Sequence, residues 1–519
     1  MKRKDKNSKT KNLTNNSKQK IQNTALDISS LQLNIQNSTL PEGWVWVRLG
    51  EMCDIYPGYG FPKNLQGKES GKYPFYKVGD ISKNVALGYK FLEFCENYID
   101  DDDLNKLKAK PYPKGTIVFA KIGEALKLNR RAILKKEGLV DNNAIGVKAV
   151  ENICCNNYFF YFLNTVKLED YSRATTVPSV RKSDIEMIPL PLPPLPEQHR
   201  IVAKIEELFT KLDAGIEALK KAKEQIKRYR QAVLKYAFEG KLTEEWRVKN
   251  QPQETAEELL EKIKEERKKK LGKKYKARSE RSRRELPPVD TSELPELPEG
   301  WVWVRLGEIA NNINPGFPSG KHNKENMGLP HLRPMNINLK GEIDLSNIKY
   351  VQPEKEYDKL IKGDILFNNT NSPELLGKTC YIKENTNWAY SNHMTRIRVN
   401  ENLLNPAWVS YCLHTLFLNG FFKLNCTHHV NQASINTTFL SERVYIPLPP
   451  LPEQHRIVEE IERRFSVADE VEKAIDNSLK QAERLRQSIL KNAFEGKLVP
   501  QDPNDEPAEK LLERIKNVK

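Results

Sequence analysis

The chain is poor in the features that assign a protein at a glance. Its seven cysteines are odd in number and show no Cys-x-x-Cys spacing, which argues against a disulfide framework and a zinc ribbon. No uninterrupted apolar stretch nears the roughly 18 residues that cross a bilayer. The N-terminus is basic and Asn-rich but lacks the apolar core of a secretory signal. A hydrated globular protein of a reducing cytoplasm, with no membrane association, is the expectation. At 519 residues, 38% hydrophobic and 29% charged, it has room for several domains with cores of their own.

A formal charge of +15 invites a nucleic-acid reading. Its placement weakens that argument. Residues 1–20 carry eight basic side chains against Asp5 alone, and residues 254–285 carry thirteen basic against eight acidic. Most of the excess therefore sits in a tail (1–39) expected to be disordered and in one charged helical linker (244–296). Such runs are as a rule solvated faces. The acidic run Asp100–Asp103 reads the same way, as a solvated loop.

What dominates the chain is repetition. LPEGWVWVRLGE stands at 40–51 and again at 297–308, an offset of 257. PLPPLPEQHRIV at 191–202 returns unchanged at 447–458, an offset of 256. RQAVLKYAFEGKL (230–242) comes back as RQSILKNAFEGKL (486–498), and AEELLEKIK (256–264) is echoed by AEKLLERIK (508–516). Between these matches the copies diverge. KGTIVFAKIG (114–123) compares loosely with KGDILFNNTN (362–371), and DNNAI (141–145) with SNHMT (391–395). An unchanging frame around variable loops is how binding is retargeted, because loops tolerate change that scaffolds do not.

Each copy opens with a compact α+β domain, over 40–190 and 297–446. VWVRLG, GTIVFAKI and AIGVKAV have strand character, and YFFYFLNTV (158–166) and WVSYCLHTLFL (408–418) read as a buried helix. The prolines of PLPPLP predict a stiff extended connector. Pro196 and Glu197 suit the start of a helix that Gly240 ends, and Gly496 ends its twin. These segments, 191–243 and 447–499, are spacer regions, and 500–519 is a C-terminal helical piece. Helices over 196–239 and 452–495 would each be on the order of 65 Å long.

Both helices carry a narrow apolar stripe on charged surroundings. The first has Ile201, Ile205, Leu208, Leu212, Ile216, Leu219, Ile226, Tyr229, Val233 and Ala237. The second has Ile457, Ile461, Phe465, Ala468, Val471, Ile475, Leu479, Ala482, Leu485, Ile489 and Ala493. A stripe needs a cover, and the twin helix is the natural one. Paired antiparallel about a pseudo-two-fold axis, the helices would hold the two domains at opposite ends of a rod. The tail would lie against the first domain, giving a near-circular chain.

Two alike but unequal heads at fixed separation form a ruler, as a two-part DNA site would require. In its variable domain, PLPPLPEQHRIV, long helix and AFEGKL ending, all occurring twice, the chain resembles the specificity subunits of type I restriction-modification enzymes. The resemblance runs from Leu40 to near the C-terminus. It implies two target-recognition domains that bind double-stranded DNA and two helical spacers on which a pair of DNA methyltransferase subunits dock. It also implies a restriction and translocation subunit. S-adenosylmethionine, ATP and Mg would belong to those partners, and this chain would be non-catalytic, without cofactor or metal.

Enzyme motifs of its own are missing. A methyltransferase would show an Asp/Asn-Pro-Pro-Tyr/Phe tetrapeptide, of which Asn314-Pro315-Gly316-Phe317 is only a superficial likeness. The glycines of Gly316–Lys321 fall one residue short of a phosphate loop. Cys412, His414, Cys426, His428 and His429 suggest zinc, but residues two apart on a helix face different ways. A related modification-only or single-chain system and a coiled-coil adaptor that binds no DNA are the alternatives.

Base readout needs forked donors and acceptors, Arg or Lys for guanine and Asn or Gln for adenine. In the first domain SRATTVPSVRKSD (172–184) supplies Arg173, Thr175, Thr176, Ser179, Arg181 and Lys182. In the second, NCTHHVNQASIN (425–436) supplies Thr427, His428, His429, Asn431, Gln432 and Asn436. Further candidates are Tyr59, Lys63, Lys121 and Asn142 in the first, and Lys321, Arg333, Asn368, Asn369, Asn371, His393 and Arg396 in the second. For any one of these, exposed polar surface is an equally good reading.

Overall fold

The structure, a computed structural model, describes residues 39–172, 177–250, 254–281, 287–292, 294–318, 322–323, 327–352, 359–430 and 432–516. The tail 1–38 and the candidates Arg173, Thr175, Thr176, Lys321 and Asn431 lie outside them. Two units emerge, one of Met1–Leu219 with Asn477–Lys519 and one of Lys220–Asp476. Both boundaries fall inside the long helices, Leu195–Phe238 and Leu451–Phe494, so each unit owns half of each helix.

Among its described residues the first unit has nine strands: β1 (Val45–Arg48), β2 (Cys53–Pro57), β3 (Tyr73–Tyr76), β4 (Tyr98–Ile99), β5 (Ile117–Ala120), β6 (Arg131–Ile133), β7 (Leu139–Val140), β8 (Ala144–Ala149) and β9 (Pro189–Leu192). They form an antiparallel sheet β2–β8–β5–β6, a mixed sheet β4–β3–β7 and the pair β1–β9. The central β5 is buried along its whole length, as an unbroken apolar run covered on both faces should be. The helix Asn156–Thr165 packs all of Tyr158–Leu163 into the same core. Ile201, Val202 and Ile205 of one long helix and Ile489, Leu490, Ala493 and Phe494 of the other complete it.

The second unit repeats this plan with β10 (Val302–Arg305), β11 (Asn312–Pro315), β12 (Leu329–Leu332), β13 (Lys349–Val351), β14 (Ile365–Asn368), β15 (Thr370–Asn371), β16 (Thr379–Tyr381), β17 (Ala389–Tyr390), β18 (Met394–Arg398), β19 (Thr427–His428), β20 (Ala433–Ser434) and β21 (Tyr445–Leu448). The order β11–β18–β14–β16 matches β2–β8–β5–β6 strand for strand, and β13–β12–β17 matches β4–β3–β7. The described residues of the second unit also form a small sheet, β15–β20–β19. Both α+β heads are thus one fold written twice.

The repeated motifs are the joints between head and helix. Trp44 Nε1 donates to Glu197 at 3.0 Å, and Trp301 Nε1 donates to Glu453 at 2.8 Å. Gln198 accepts from the Cys155 amide at 2.7 Å and donates to the Pro193 carbonyl at 2.9 Å. Gln454 does the same with Asn405 and Pro449, at 2.9 and 2.8 Å. This is why Pro-Glu-Gln recurs: the buried glutamine satisfies the irregular backbone where a strand turns into a helix, and the buried glutamate holds the indole N–H of the head's tryptophan.

The predicted extended connector is in part a strand. Pro189–Leu192 pairs with β1, Pro191 opposite Trp46, and the equivalent β21 pairs with β10. Proline is tolerated because a two-stranded pair leaves one edge free of ladder bonds. Asp100–Asp103 is not a loop either. Asp100 stands at the N-cap of the helix Asp101–Leu107, whose acidic first turn suits the helix dipole, and Asp100 and Asp101 pair with Lys68 and Lys72.

In the first unit the C-terminal segment lies against the head, as the repeat implies. Arg200 pairs with Asp505 at 2.6 Å, and the amide of the buried Ala508 donates to the Gly43 carbonyl at 3.0 Å. Its counterpart Ala256 is buried in the second unit, with Leu259 and Ile263.

The stripe is only partly a packed face. Ile201, Ile205, Val233, Ala237, Ile457, Ile461, Ala468, Ile475, Ala482, Ile489 and Ala493 are buried, and Leu208, Leu212, Ile216, Leu219, Ile226, Phe465 and Leu479 are half-buried. Tyr229, Val471 and Leu485 are exposed, at 43%, 46% and 52%, and do not belong to it. A 3.6-residue helix drifts about 20° per heptad against a 3.5 repeat, so a long stripe walks off its face. Beside Tyr229 the inner place goes to Arg230, which is buried. Arg230 bonds Asp469 at 2.6 Å and lies 5.1 Å over the Phe465 ring. In the first unit Arg486 bonds Asp213 and lies 4.4 Å over Phe209. Every one of these residues corresponds under the 256-residue offset. Lys223 adds a bond to Asp476 at 2.6 Å, so seven residues forward on one helix takes the partner seven back on the other.

Candidate nucleic-acid interface

Three segments meet beyond the C-terminal end of β5 in the first head. The Lys121 amide donates to the Asn143 carbonyl at 2.9 Å, and the Val180 amide donates to the Lys121 carbonyl at 2.9 Å. Ile122 bridges Ser179, and the Gly123 amide reaches the Pro178 carbonyl at 2.8 Å. A fourth segment joins through Tyr59, whose amide donates to Val140 at 3.0 Å. The turn is held by Asp141, which accepts from the Asn143 amide at 3.1 Å.

The second head is wired alike. The Asn369 amide donates to the His393 carbonyl at 3.1 Å, and the Ile435 amide to the Asn369 carbonyl at 2.9 Å. Thr370 pairs with Ser434. The Phe317 amide donates to Tyr390 at 3.3 Å, as Tyr59 does to Val140. Lys121 thus corresponds to Asn369, Asn143 to His393 and Ser179 to Ser434. The loose sequence comparisons across the diverged middles hold in space.

Where the loops carry side chains, the heads differ. In the first, Asn142, Arg181 and Lys182 are exposed, and Lys121 and Ser179 are half-buried. Arg181 stands at the N-cap of the short helix Lys182–Glu186, its amide donating to Asp184 at 3.0 Å, and Lys182 sits 3.6 Å from Glu186. Tyr59 is half-buried, its ring 6.1 Å from that of Tyr112 and its hydroxyl accepting from the Lys110 amide. Lys63 is exposed on the helical turn Lys63–Leu65.

In the second head β19 and β20 make a hairpin closed by His429 N–H to the Gln432 carbonyl at 2.7 Å. Thr427, His428, His429, Gln432 and Asn436 are exposed. Asn436 caps the helix Thr437–Arg443. Asn371 and His393 are half-buried, and Arg333 gives its guanidinium to the Asn347 carbonyl at 2.7 Å.

Three candidates are not on the surface. Asn368 is fully buried and donates to the Leu375 carbonyl at 2.9 Å. Asn369 is buried and donates to the Asn392 carbonyl at 3.1 Å and to Thr395 Oγ1 at 2.8 Å, clamping the turn to the sheet. Arg396 is a buried residue of β18 whose guanidinium lies 5.8 Å from the Tyr390 ring. Strand ends within a covered sheet consume polar side chains internally, which an amide or guanidinium in sequence does not reveal.

Burial lowers His331 and His414 to about 4, so both are neutral at pH 7 and bring no charge to a polyanion. Cys412 is buried with His414, whereas Cys426 lies 3.6 Å from His428 on the surface. Among the described residues no group of three His, Cys, Asp or Glu is placed to hold a metal, and no helix is long and apolar enough to cross a membrane.

The model of the type I restriction-modification DNA specificity domain matches residues 41–228 and again 298–481. The chain belongs to this specificity family. The EcoKI specificity subunit of Escherichia coli (strain K12) is 27% identical over 501 residues, 92% of this chain and 96% of its own. The EcoBI specificity subunit of Escherichia coli is 24% identical over 498 residues, covering 92% and 93%. A solved structure described under complex assembly and conformational transition of the type I R-M system shares the fold. It has a TM-score of 0.62 at 22% identity, covering 89% of this chain and 100% of that one.

For a specificity-family chain, the residues missed from sequence are instructive. Val430 stands at the hairpin tip, 98% exposed, and Val177 stands 53% exposed in the corresponding loop of the first head. Neither stands out in the sequence, because an apolar residue offers no forked donor. The Arg230–Asp469 and Arg486–Asp213 pairs do not stand out in the sequence, because both long helices are charged along their length. That both pairs recur at the repeat offset was the available signal.

Proposed function

We propose that this chain is the DNA-reading, non-catalytic subunit of a type I restriction-modification assembly, each head recognising one half of a two-part target. One observation carries the reading. The same backbone junction presents Lys121, Asn142, Arg181 and Lys182 in one head and Asn371, His428, His429 and Gln432 in the other. Lysine and arginine suit guanine, and amides suit adenine, so unlike half-sites follow from one frame.

The long helices act as the ruler, paired antiparallel about a pseudo-two-fold axis in a near-circular chain. The repeat-related Arg–Asp bonds, each with its arginine on a phenylalanine, support this arrangement. Two DNA methyltransferase subunits dock on the helical regions and bring S-adenosylmethionine. A restriction and translocation subunit brings ATP and Mg. The setting is the cytoplasm. Co-expression with a cognate methyltransferase, followed by mapping of methylated adenines, is the test. A bipartite motif with a fixed gap is expected, and a single contiguous motif would refute the reading. The chain alone should transfer no methyl group.

A further inference from the structure

Resting on that reading, we propose that Val430 is a specificity-determining residue of the second head, contacting the C5-methyl group of a thymine in the major groove. Val430 is 98% exposed, the highest value among the described large apolar side chains. Single apolar residues on a surface are ordinary, so exposure alone carries nothing. The mounting of this one is what separates it.

The hairpin that bears it is rigid at the root. Ala433 is fully buried, Ile435 is nearly so, and β20 is held between β15 and β19. The Ile435 amide is bonded to the Asn369 carbonyl, and Asn369 is itself clamped to the turn at 392 and to Thr395. The tip is closed by His429 N–H to the Gln432 carbonyl. An apolar side chain is therefore presented to water beside a short two-stranded ribbon whose root is buried in the head. Its exposed neighbours Thr427, His428, His429 and Gln432 are hydrogen-bonding residues. The B-DNA major groove admits a two-stranded ribbon, and its one apolar feature is the thymine methyl. Polar flanks with an apolar tip match that edge. The first head offers Val177, 53% exposed, just ahead of the Ile122–Ser179 bridge, in the equivalent loop.

The test exchanges one methyl group at a time. The full-length chain, in complex with its methyltransferase partners, is used to select duplexes from a random-sequence pool. Each thymine of the selected target is then replaced by deoxyuridine, which removes only the C5-methyl. One thymine in the second head's half-site is expected to lose about threefold to tenfold in affinity on replacement, as for one buried methyl group. Val430→Ala should bind the thymine and deoxyuridine duplexes alike, and Val430→Ile should keep the preference. The proposal is overturned if no thymine in that half-site responds, or if Val430→Ala retains the full difference. No enrichment of any sequence from the pool would instead count against DNA reading itself.

Discussion

Arg230 and Asp469 lie on different long helices, yet their guanidinium and carboxylate are 2.6 Å apart while the same arginine covers the Phe465 ring. Its side chain is only 10% exposed. Arg486, in the equivalent place in the first unit, is 27% exposed. Replacing Arg230 with Ala should cost about 1–3 kcal/mol of stability, through the lost bond and the bared ring. Arg486→Ala should cost less. Arg230→Met, which keeps the stem over Phe465, should recover part of the loss in urea denaturation.

The two buried joint carboxylates are unequally served. Glu453 accepts from Trp301, from Thr243 Oγ1 at 2.8 Å and from Arg247 Nε at 2.9 Å. Glu197 accepts from Trp44 through one oxygen, and its Oε1 is buried with no hydrogen-bond partner. Burial raises the Glu197 carboxyl above its ordinary value. Glu453→Gln should therefore destabilise by about 2–3 kcal/mol, since it removes the carboxylate that pairs the half-buried Arg247. Glu197→Gln should be close to neutral in the same thermal melts.

Acid should weaken the second unit. His331 and His414 are held near 4, chiefly by burial, against about 6.5 in an unfolded chain. Above pH 6.5 both states are neutral and nothing changes. Between 6.5 and about 4 the unfolded chain takes up protons that the folded one refuses, so stability falls with pH and levels off below. Melts at pH 7.5 and 5.5 should show the drop, and the His331→Gln/His414→Gln double variant should flatten it.

Exposed and buried amides of the second head should separate cleanly. Gln432→Ala should relax discrimination at one base by about tenfold to a hundredfold and leave the melting temperature unchanged. Asn369→Ala should lower the melting temperature, because it removes three internal hydrogen bonds.

Lengthening both rods tests the ruler. Seven residues added to each long helix, between Lys211 and Lys223 and between Val467 and Lys480, extend the pair by about 10 Å. The gap between half-sites should grow by about three base pairs, with the bases read unchanged.

Much of this was legible in the residues, and for identifiable reasons. Strands such as Ile117–Ala120 and the helices over 195–238 and 451–494 declare themselves by period and length. The joints were visible only as repeated letters, because nothing in Trp44 or Glu197 says that they face each other. Asn368, Asn369 and Arg396 misled because polarity does not say which way a strand-end side chain turns. Tyr229, Val471 and Leu485 misled because a helix does not hold a heptad stripe on one face over 44 residues. Val430 is silent in the sequence because its signal is position, not chemistry.

The most direct trial of the central claim is to exchange residues 44–190 for the matching head of another family member and map methylated sites in cells. One half of the target should change, while the other half and the gap stay as they were. If both halves changed, or neither did, two independent reading heads on a common frame would be contradicted.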